Sequence, residues 1–264
     1  MGSAEIQGPL WGARAEDWAA YAEQVGLPLF AAALDAARVT KGTRLLDAGC
    51  GAGLLALLGR LRGAEVTAID AAPGMVEVAR RRLPGADVRV GDLESLPFDD
   101  ASFDAVIGVN SIFYAADMAT AMREIARVVR PGGLVVLTAW GPPEKCEFLT
   151  AIMPNLGPLM PPPPPGAPPP HPGALSEPGA LAAVLQASGL RPKEEGQVDC
   201  PFIFPSAEIS WLGNASAGVN QAAIAHSGEG PVHAAYTKAD ADHTRPDGSV
   251  RYDNVFLWAS GERT

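Results

Sequence analysis

Two aspartates close short apolar runs where a ligand could reach them: Asp47 in LLDAGCGAG and Asp70 in EVTAID. The glycines after Asp47 let backbone approach a bound molecule with no Cβ in the way. Asp70 stands seventeen residues after Gly53, the place where Rossmann-like folds put a carboxylate that accepts hydrogen bonds from both ribose hydroxyls. A nucleoside is the expected ligand. Phosphates fit less well, because the turn has neither GxGxxG spacing nor a P-loop lysine, and Asp47 would oppose a pyrophosphate. A nucleoside carrying an aminoacyl sulfonium suits the turn better. Taken alone, the same turn serves equally for tight strand-to-helix packing.

The elements that would position these acids follow from periodicity. Between Thr43 and Trp140, short β-branched or Leu-rich runs alternate with helical patterns: LLDAG, LLALLGRLR, EVTAID, MVEVARRRL, ADVRVGD, FDAVIGVN, ATAMREIARVV and LVVLTAW. Such alternation predicts a parallel sheet with helices on both faces. Pro73-Gly74 opens one helix, Pro84-Gly85 closes it, and Pro131-Gly132-Gly133 separates another from the strand Leu134 to Thr138. Upstream, Arg14 to Gln24 and Leu29 to Val39 read as two amphipathic helices that pack as a lid. Pro154 to Pro172 reads as an extended surface loop. Beyond it come a helix from Glu177 to Ala187, a strand from Gln197 to Phe204, helical segments between Ser206 and Ala241, and a last strand Val250 to Trp258 behind the Asp247-Gly248 turn.

The chain has 264 residues, 47% of them apolar and 19% charged, a globular rather than disordered composition. Its 30 acidic and 20 basic residues give a net charge of −10, which repels a phosphate backbone or an anionic membrane. Neither nucleic acid nor membrane is an expected partner. The three cysteines form no CxxC pair, so no disulfide framework or zinc site is implied and a reducing cytoplasm fits. Met1 to Leu10 has no basic region followed by an apolar run, so no export signal is read there.

In order and spacing, LLDAGCGAG, AIDAAPGMVEVAR, GDLESLPFDDASFDAV, NSIFY and REIARVVRPGGLVVLTAW resemble the class I S-adenosylmethionine-dependent methyltransferases, in particular their bacterial small-molecule branch. The resemblance spans Arg44 to Trp140 strongly and the flanks more weakly. It implies a Rossmann-like α/β fold with a mostly parallel seven-stranded sheet, helices on both faces, the last strand antiparallel, and a helical lid. It also implies S-adenosylmethionine as the cofactor. Asp47, Gly49, Cys50 and Gly51 would then cradle the methionyl moiety, Cys50 through its backbone and small volume. Asp70 and Ala71 would hold the ribose side and Met75 would pack on the adenine. Asp92 would accept from the exocyclic amine, Leu93 would offer its N–H, and Asn110 would supply a carbonyl near the ammonium. The bland alternatives are an Asx turn for Asp92, core for Met75 and a strand-end cap for Asn110.

Methyl transfer needs no metal, so the acceptor side is read from aromatic and titratable residues on the flanks. Trp18, Phe113, Tyr114, Trp140 and Trp211 are the candidate substrate-binding residues; Tyr21, His226 and His233 are the candidate catalytic ones. A histidine in such a segment is more often a solvated surface group, and Tyr or Trp in a helical flank more often core. The expected organisation is a lid over 1–40, a donor-binding core over 41–153, a proline-rich loop over 154–175, and a C-terminal part over 176–264 that carries a helical substrate cap at about 205–246. The expected acceptor is a small, aromatic, indole-like or phenolic metabolite of natural-product biosynthesis, and the expected assembly a monomer or homodimer. Two alternatives stay open: a catalytically silent donor-binding or assembly protein, and a nicotinamide-dependent oxidoreductase.

Overall fold

A computed structural model describes residues 3–162 and 175–264. The chain enters through α1 (Ser3–Gly12) and α2 (Ala15–Asp17), a π-helical turn (Trp18–Ala22) and a 3-10 turn (Glu23–Gly26), then α3 (Leu27–Ala36). The core follows as β1 (Arg44–Ala48), α4 (Leu54–Leu61), β2 (Glu65–Asp70), α5 (Pro73–Arg82), β3 (Asp87–Val90), β4 (Phe103–Gly108), α6 (Met118–Val128) and β5 (Val129–Trp140). Next come α7 (Glu147–Leu156), α8 (Ala180–Ala187), β6 (Leu190–Asp199) and β7 (Phe202–Phe204). The chain finishes with α9 (Ala207–Ala215), α10 (Gly218–Ser227), α11 (Glu229–Ala241), β8 (Val250–Tyr252) and β9 (Val255–Arg263). Among the described residues, no helix is long and apolar enough to cross a membrane.

The main sheet has seven strands in the order β3-β2-β1-β4-β5-β9-β6. The first five run parallel, and β9 lies antiparallel between β5 and β6. Side chains alternate across this sheet, so neighbours in sequence serve opposite layers. Leu46, Val106, Val135 and Leu137 bury against α6 and α8, whereas Leu45, Ala105, Ile107 and Val136 bury against α3 and α4. Helix α6 meets the sheet with Ala121, Met122, Ile125 and Val128, and Asp117 caps it by accepting from the Thr120 N–H at 3.1 Å.

Strand order reverses between β1 and β4, because the chain runs outward from β1 through β2 to β3 and then returns to the other side of β1. Open α/β sheets bind ligands at such a switch point, beyond the strand carboxyl ends. Asp47 and Asp70 lie at those ends, with Ala48 in register with Ile69 and Asp70 in register with Val90.

Several boundaries differ from those expected. The helix expected over Arg14 to Gln24 is broken into α2, a π turn and a 3-10 turn. The strand expected over Gln197 to Phe204 is the end of β6 plus β7, divided at Cys200, whose N–H bonds to the Asn254 carbonyl at 2.8 Å. The run Val250 to Trp258 divides likewise, since β8 pairs with β7 while β9 joins the main sheet. The Asn254 carboxamide accepts from the Phe148 N–H at 3.1 Å and holds this corner. Pro154 lies inside α7 and Gly157–Leu159 forms a 3-10 turn, so the first part of the expected loop is helical. Residues 163–174 of that loop, His171 among them, lie outside the described residues. Helix α1 had no counterpart in the sequence reading.

Helices α7 and α9 to α11 build a second apolar cluster around Ile152, Leu156, Trp211, Val232 and Tyr236. An aromatic group joins it to the sheet: Trp140 packs on Phe256 at 4.4 Å, and Phe148 lies 5.4 Å from Phe202 between ring centroids.

Candidate active site

The turn after β1 is fastened to β2 by backbone. The N–H groups of Gly49 and Cys50 both donate to the Ile69 carbonyl, at 2.9 and 3.0 Å. Gly49, at φ +84°, has no room for a side chain, since a Cβ would stand 2.4 Å from that of Ser111. The Ser111 hydroxyl in turn donates to the Ala48 carbonyl at 2.6 Å. The Cys50 thiol is buried, and burial pushes its pKa up, which suits a small packing residue rather than a nucleophile.

The acids are held in distinct ways. Asp47 is buried and accepts from the Ala56 N–H at 3.1 Å. Burial, with Glu23 and Asp70 as like-charged neighbours, pushes its pKa up to about 8. Asp70 accepts from the Gly51 N–H at 2.8 Å through Oδ2 and from the Ala72 N–H at 2.9 Å through Oδ1. Burial raises its pKa, and these backbone donors oppose the rise. Asp92 forms an Asx turn with the Glu94 N–H at 3.0 Å, and its other oxygen accepts from the Ala4 N–H at 3.3 Å. Leu93, next to it, is half-buried and packs on the sheet core.

Asn110 occupies the left-handed region at φ +49°, a conformation that costs energy outside glycine. Its N–H donates to Thr138 Oγ1, and that hydroxyl donates back to Asn110 Oδ1, both at 3.0 Å. The side chain is thus tied to β5.

The N-terminal segment covers this end of the sheet. A Cβ on Gly8 would meet the Ala71 carbonyl at 2.6 Å, and one on Gly74 would meet the Gly12 carbonyl at 2.7 Å, so α1 sits directly on the entry to α5. Met75 is buried with Ala15, Ala52 and Ala72 under Trp11 and Trp18. Trp11 meets Trp18 edge-on at 5.1 Å and Tyr114 at 5.4 Å, and Gly218 of α10 leaves room for its ring. Glu23 is 4% exposed; its Oε1 accepts from the Leu54 N–H at 3.0 Å and its Oε2 from Arg82. Arg82 also donates to the Ala52 carbonyl at 2.8 Å. The lid is thereby fixed to the first turn of α4, where unpaired helix N–H groups attract a carboxylate.

The acceptor-side candidates are not gathered in one place. Trp18 stands over Gly51, with its Nε1 3.4 Å from where a Cβ on that glycine would be. Tyr21 follows on the same π turn, and its carbonyl packs against Gly213 of α9. Phe113 lies tilted against Tyr114 at 4.7 Å between ring centroids, Tyr114 meets Trp11 edge-on, and burial pushes the Tyr114 phenol up to about 12. Trp140 is engaged in the aromatic group between sheet and cap. Trp211 is 7% exposed and stacks on His233 at 4.5 Å. That pair, with Ala207, Glu208, Thr237 and Asp240, lines a shallow cavity of about 240 Å³ containing no residue of the strand ends. His226 is exposed in the last turn of α10, eight residues beyond Gly218, or about 12 Å along the helix axis. Both histidines are exposed on the cap, and the ring contact of His233 is with Trp211.

Sequence reasoning passed over Ser111, Glu23, Thr138 and Arg82. Arg82 belongs to an Arg80-Arg81-Arg82 run that reads as a solvated helix end, and only the tertiary contact with Glu23 distinguishes it.

Residues 46–137 match the family model described as "Methyltransferase domain". The core from β1 to β5 is similar to a methyltransferase domain. The match runs from β1 to near the end of β5, so it spans the glycine turn and its acids, and the lid and cap lie outside it. Over 97 residues the chain is 41% identical to the malonyl-acyl-carrier-protein O-methyltransferase of Serratia marcescens, covering 37% of this chain and 38% of that protein. Over 105 residues it is 48% identical to the ubiquinone biosynthesis O-methyltransferase of Methylocella silvestris, covering 38% and 41%. The matched stretch is thus about two-fifths of each of these relatives. The fold of the YcgJ protein of Bacillus subtilis is similar across 89% of this chain and 97% of that one, with a TM-score of 0.56 and 21% identity. The match favours the methyltransferase reading over the nicotinamide-dependent one.

Proposed function

We propose that the chain transfers a methyl group from S-adenosylmethionine to a small-molecule acceptor. The observation that carries this reading is Asp70, a half-buried carboxylate at the switch point held by the Gly51 and Ala72 N–H groups. Each of its oxygens accepts one backbone hydrogen bond and retains capacity for a ribose hydroxyl. Asp47 and the Asn110 carbonyl suit the methionyl ammonium, Ala71 and Met75 the adenosine, and Asp92 and Leu93 the edge of the base.

When bound, the donor supplies a methyl carbon already activated by its sulfonium. What remains for the chain is to orient and to exclude water. The lid does both, since Trp11, Trp18 and Met75 form an apolar cover over the turn and Glu23 holds that cover in place. The Tyr114 phenol keeps its proton at neutral pH and acts as a hydrogen-bond donor rather than a base. Tyr21, between turn and cap, is the residue to which we assign orientation of the acceptor. The aromatic character of Tyr21, Phe113 and Tyr114 supports a small aromatic or conjugated acceptor of the indole or phenol kind, as in natural-product biosynthesis.

Calorimetric titration with S-adenosylhomocysteine, followed by transfer from a methyl-labelled donor to a panel of phenols and indoles, tests the proposal. Saturable binding and labelled product are expected. No binding by the unaltered chain overturns the donor reading. Binding with no transfer to any member overturns the aromatic acceptor.

A further inference from the structure

The indole N–H of Trp18 is a hydrogen-bond donor with no acceptor among the described residues, although the ring is half-buried over the glycine turn. Its Nε1 lies 3.4 Å from the Cβ position of Gly51, and the nearest carboxylate oxygen to that position, Glu23 Oε1, is 3.9 Å from it. That oxygen is already committed to the Leu54 N–H at 3.0 Å. The cations nearby are committed as well: Arg82 to Glu23 and the Ala52 carbonyl, Arg14 to Asp17 and Glu229.

The amino-acid end of the proposed donor carries an ammonium and a carboxylate. Acids are plentiful around the turn, Asp47 and Asp70 among them, and uncommitted side-chain donors for an anion are scarce among the described residues. Trp can only donate, and a donor aimed at a carboxylate makes a charge-assisted bond. The π-helical turn Trp18–Ala22 gives this placement a local cause, since a widened helical turn re-aims the side chains it carries and recurs at functional sites.

We infer that Trp18 is a donor-side residue whose indole N–H binds the carboxylate of the donor's methionyl end, rather than an acceptor-binding residue. This rests on the proposed use of S-adenosylmethionine and adds to it one named contact.

The test compares S-adenosylhomocysteine with its decarboxylated analogue, which keeps the adenosine and the ammonium and lacks the carboxylate. The unaltered chain should bind the analogue about tenfold or more weakly, and Trp18→Phe should bind both ligands with nearly equal affinity. Equal loss for both ligands in Trp18→Phe, or retention of the tenfold preference, overturns the inference and leaves the donor reading standing. Absence of binding to either ligand by the unaltered chain overturns both. A measurement on the unaltered chain guards against misfolding of the variant: the Trp18 indole N–H resonance should move downfield with S-adenosylhomocysteine and stay in place with the analogue. A resonance that responds alike to both overturns the assignment.

Discussion

Gly51 donates its backbone N–H to Asp70 Oδ2 at 2.8 Å, so the turn that follows β1 is shaped by the residue that ends β2. Asp70 and the glycine turn are therefore one structural unit. Asp70→Ala should weaken S-adenosylhomocysteine binding by about 1–3 kcal/mol, through loss of charge-assisted hydrogen bonds. Asp70→Asn, which keeps an acceptor oxygen, should lose less. Calorimetry beside a thermal melt separates the two effects, and unchanged affinity in Asp70→Ala would refute the ribose role.

Asp47 gives a pH signature. With a folded pKa of about 8 against an ordinary 3.8, it is mostly protonated at neutral pH in the unliganded chain. A cationic donor favours the ionised form, so binding at pH 7 should release up to one proton and tighten as pH rises toward 8. Titrations in buffers of different ionisation enthalpy read this directly, and Asp47→Asn should abolish it. The stability consequence has the opposite sign: the folded state binds the extra proton, so stability is full below the ordinary carboxylate range and falls as pH rises through about 8. Asp47→Asn should flatten that fall in denaturant unfolding.

Glu23 and Arg82 form a half-hidden pair, with side chains 3% and 21% exposed. Glu23→Ala strips the Leu54 N–H and the guanidinium of their partner together. The expected cost is about 2–4 kcal/mol, near that of breaking a buried ion pair. Urea unfolding of the two single variants and the double variant should show coupling; strict additivity would mean that the pair does not hold the lid.

Helix α1 should govern the exchange of donor and product. Gly8→Val places a side chain against the Ala71 carbonyl, which a Cβ alone would already meet at 2.6 Å. Release of S-adenosylhomocysteine should quicken by about tenfold, the equivalent of some 1.4 kcal/mol of lost closure. Stopped-flow displacement measures it, and an unaltered release rate would show that α1 does not close the crevice.

His226→Ala and His233→Ala should leave methyl transfer within about twofold of the unaltered chain, as befits exposed positions away from the turn. A large loss of turnover with donor binding intact would return either histidine to the acceptor site.

The parallel core and the acids that close its first two strands were legible because they depend on local pattern: short apolar runs, helix punctuation and a glycine-rich turn; the antiparallel last strand was implied by the family resemblance alone, and the strand order came from the structure. The lid was harder to read. Gly8, Pro9 and Gly12 weaken the helical signal of α1, and their value lies in how closely α1 sits on Ala71 and Gly74, which periodicity does not express. Trp18 reads the same in a one-dimensional pattern whether it faces donor or acceptor, and the π turn that carries it departs from 3.6-residue spacing. The cap histidines illustrate a related point. A titratable residue in a helical segment carries no mark of which way the helix faces.

Because β9 threads between β5 and β6, the two strands it bridges emerge from the ribosome well before it does. Strand β6 ends at Asp199 and its partner begins at Val255, so during translation β6 has no neighbour to pair with over an interval of some fifty residues. An unpaired strand edge invites association with other chains. Slower synthesis across the cap, or a bound chaperone at that stage, should raise the yield of native protein more than any change within the finished sheet.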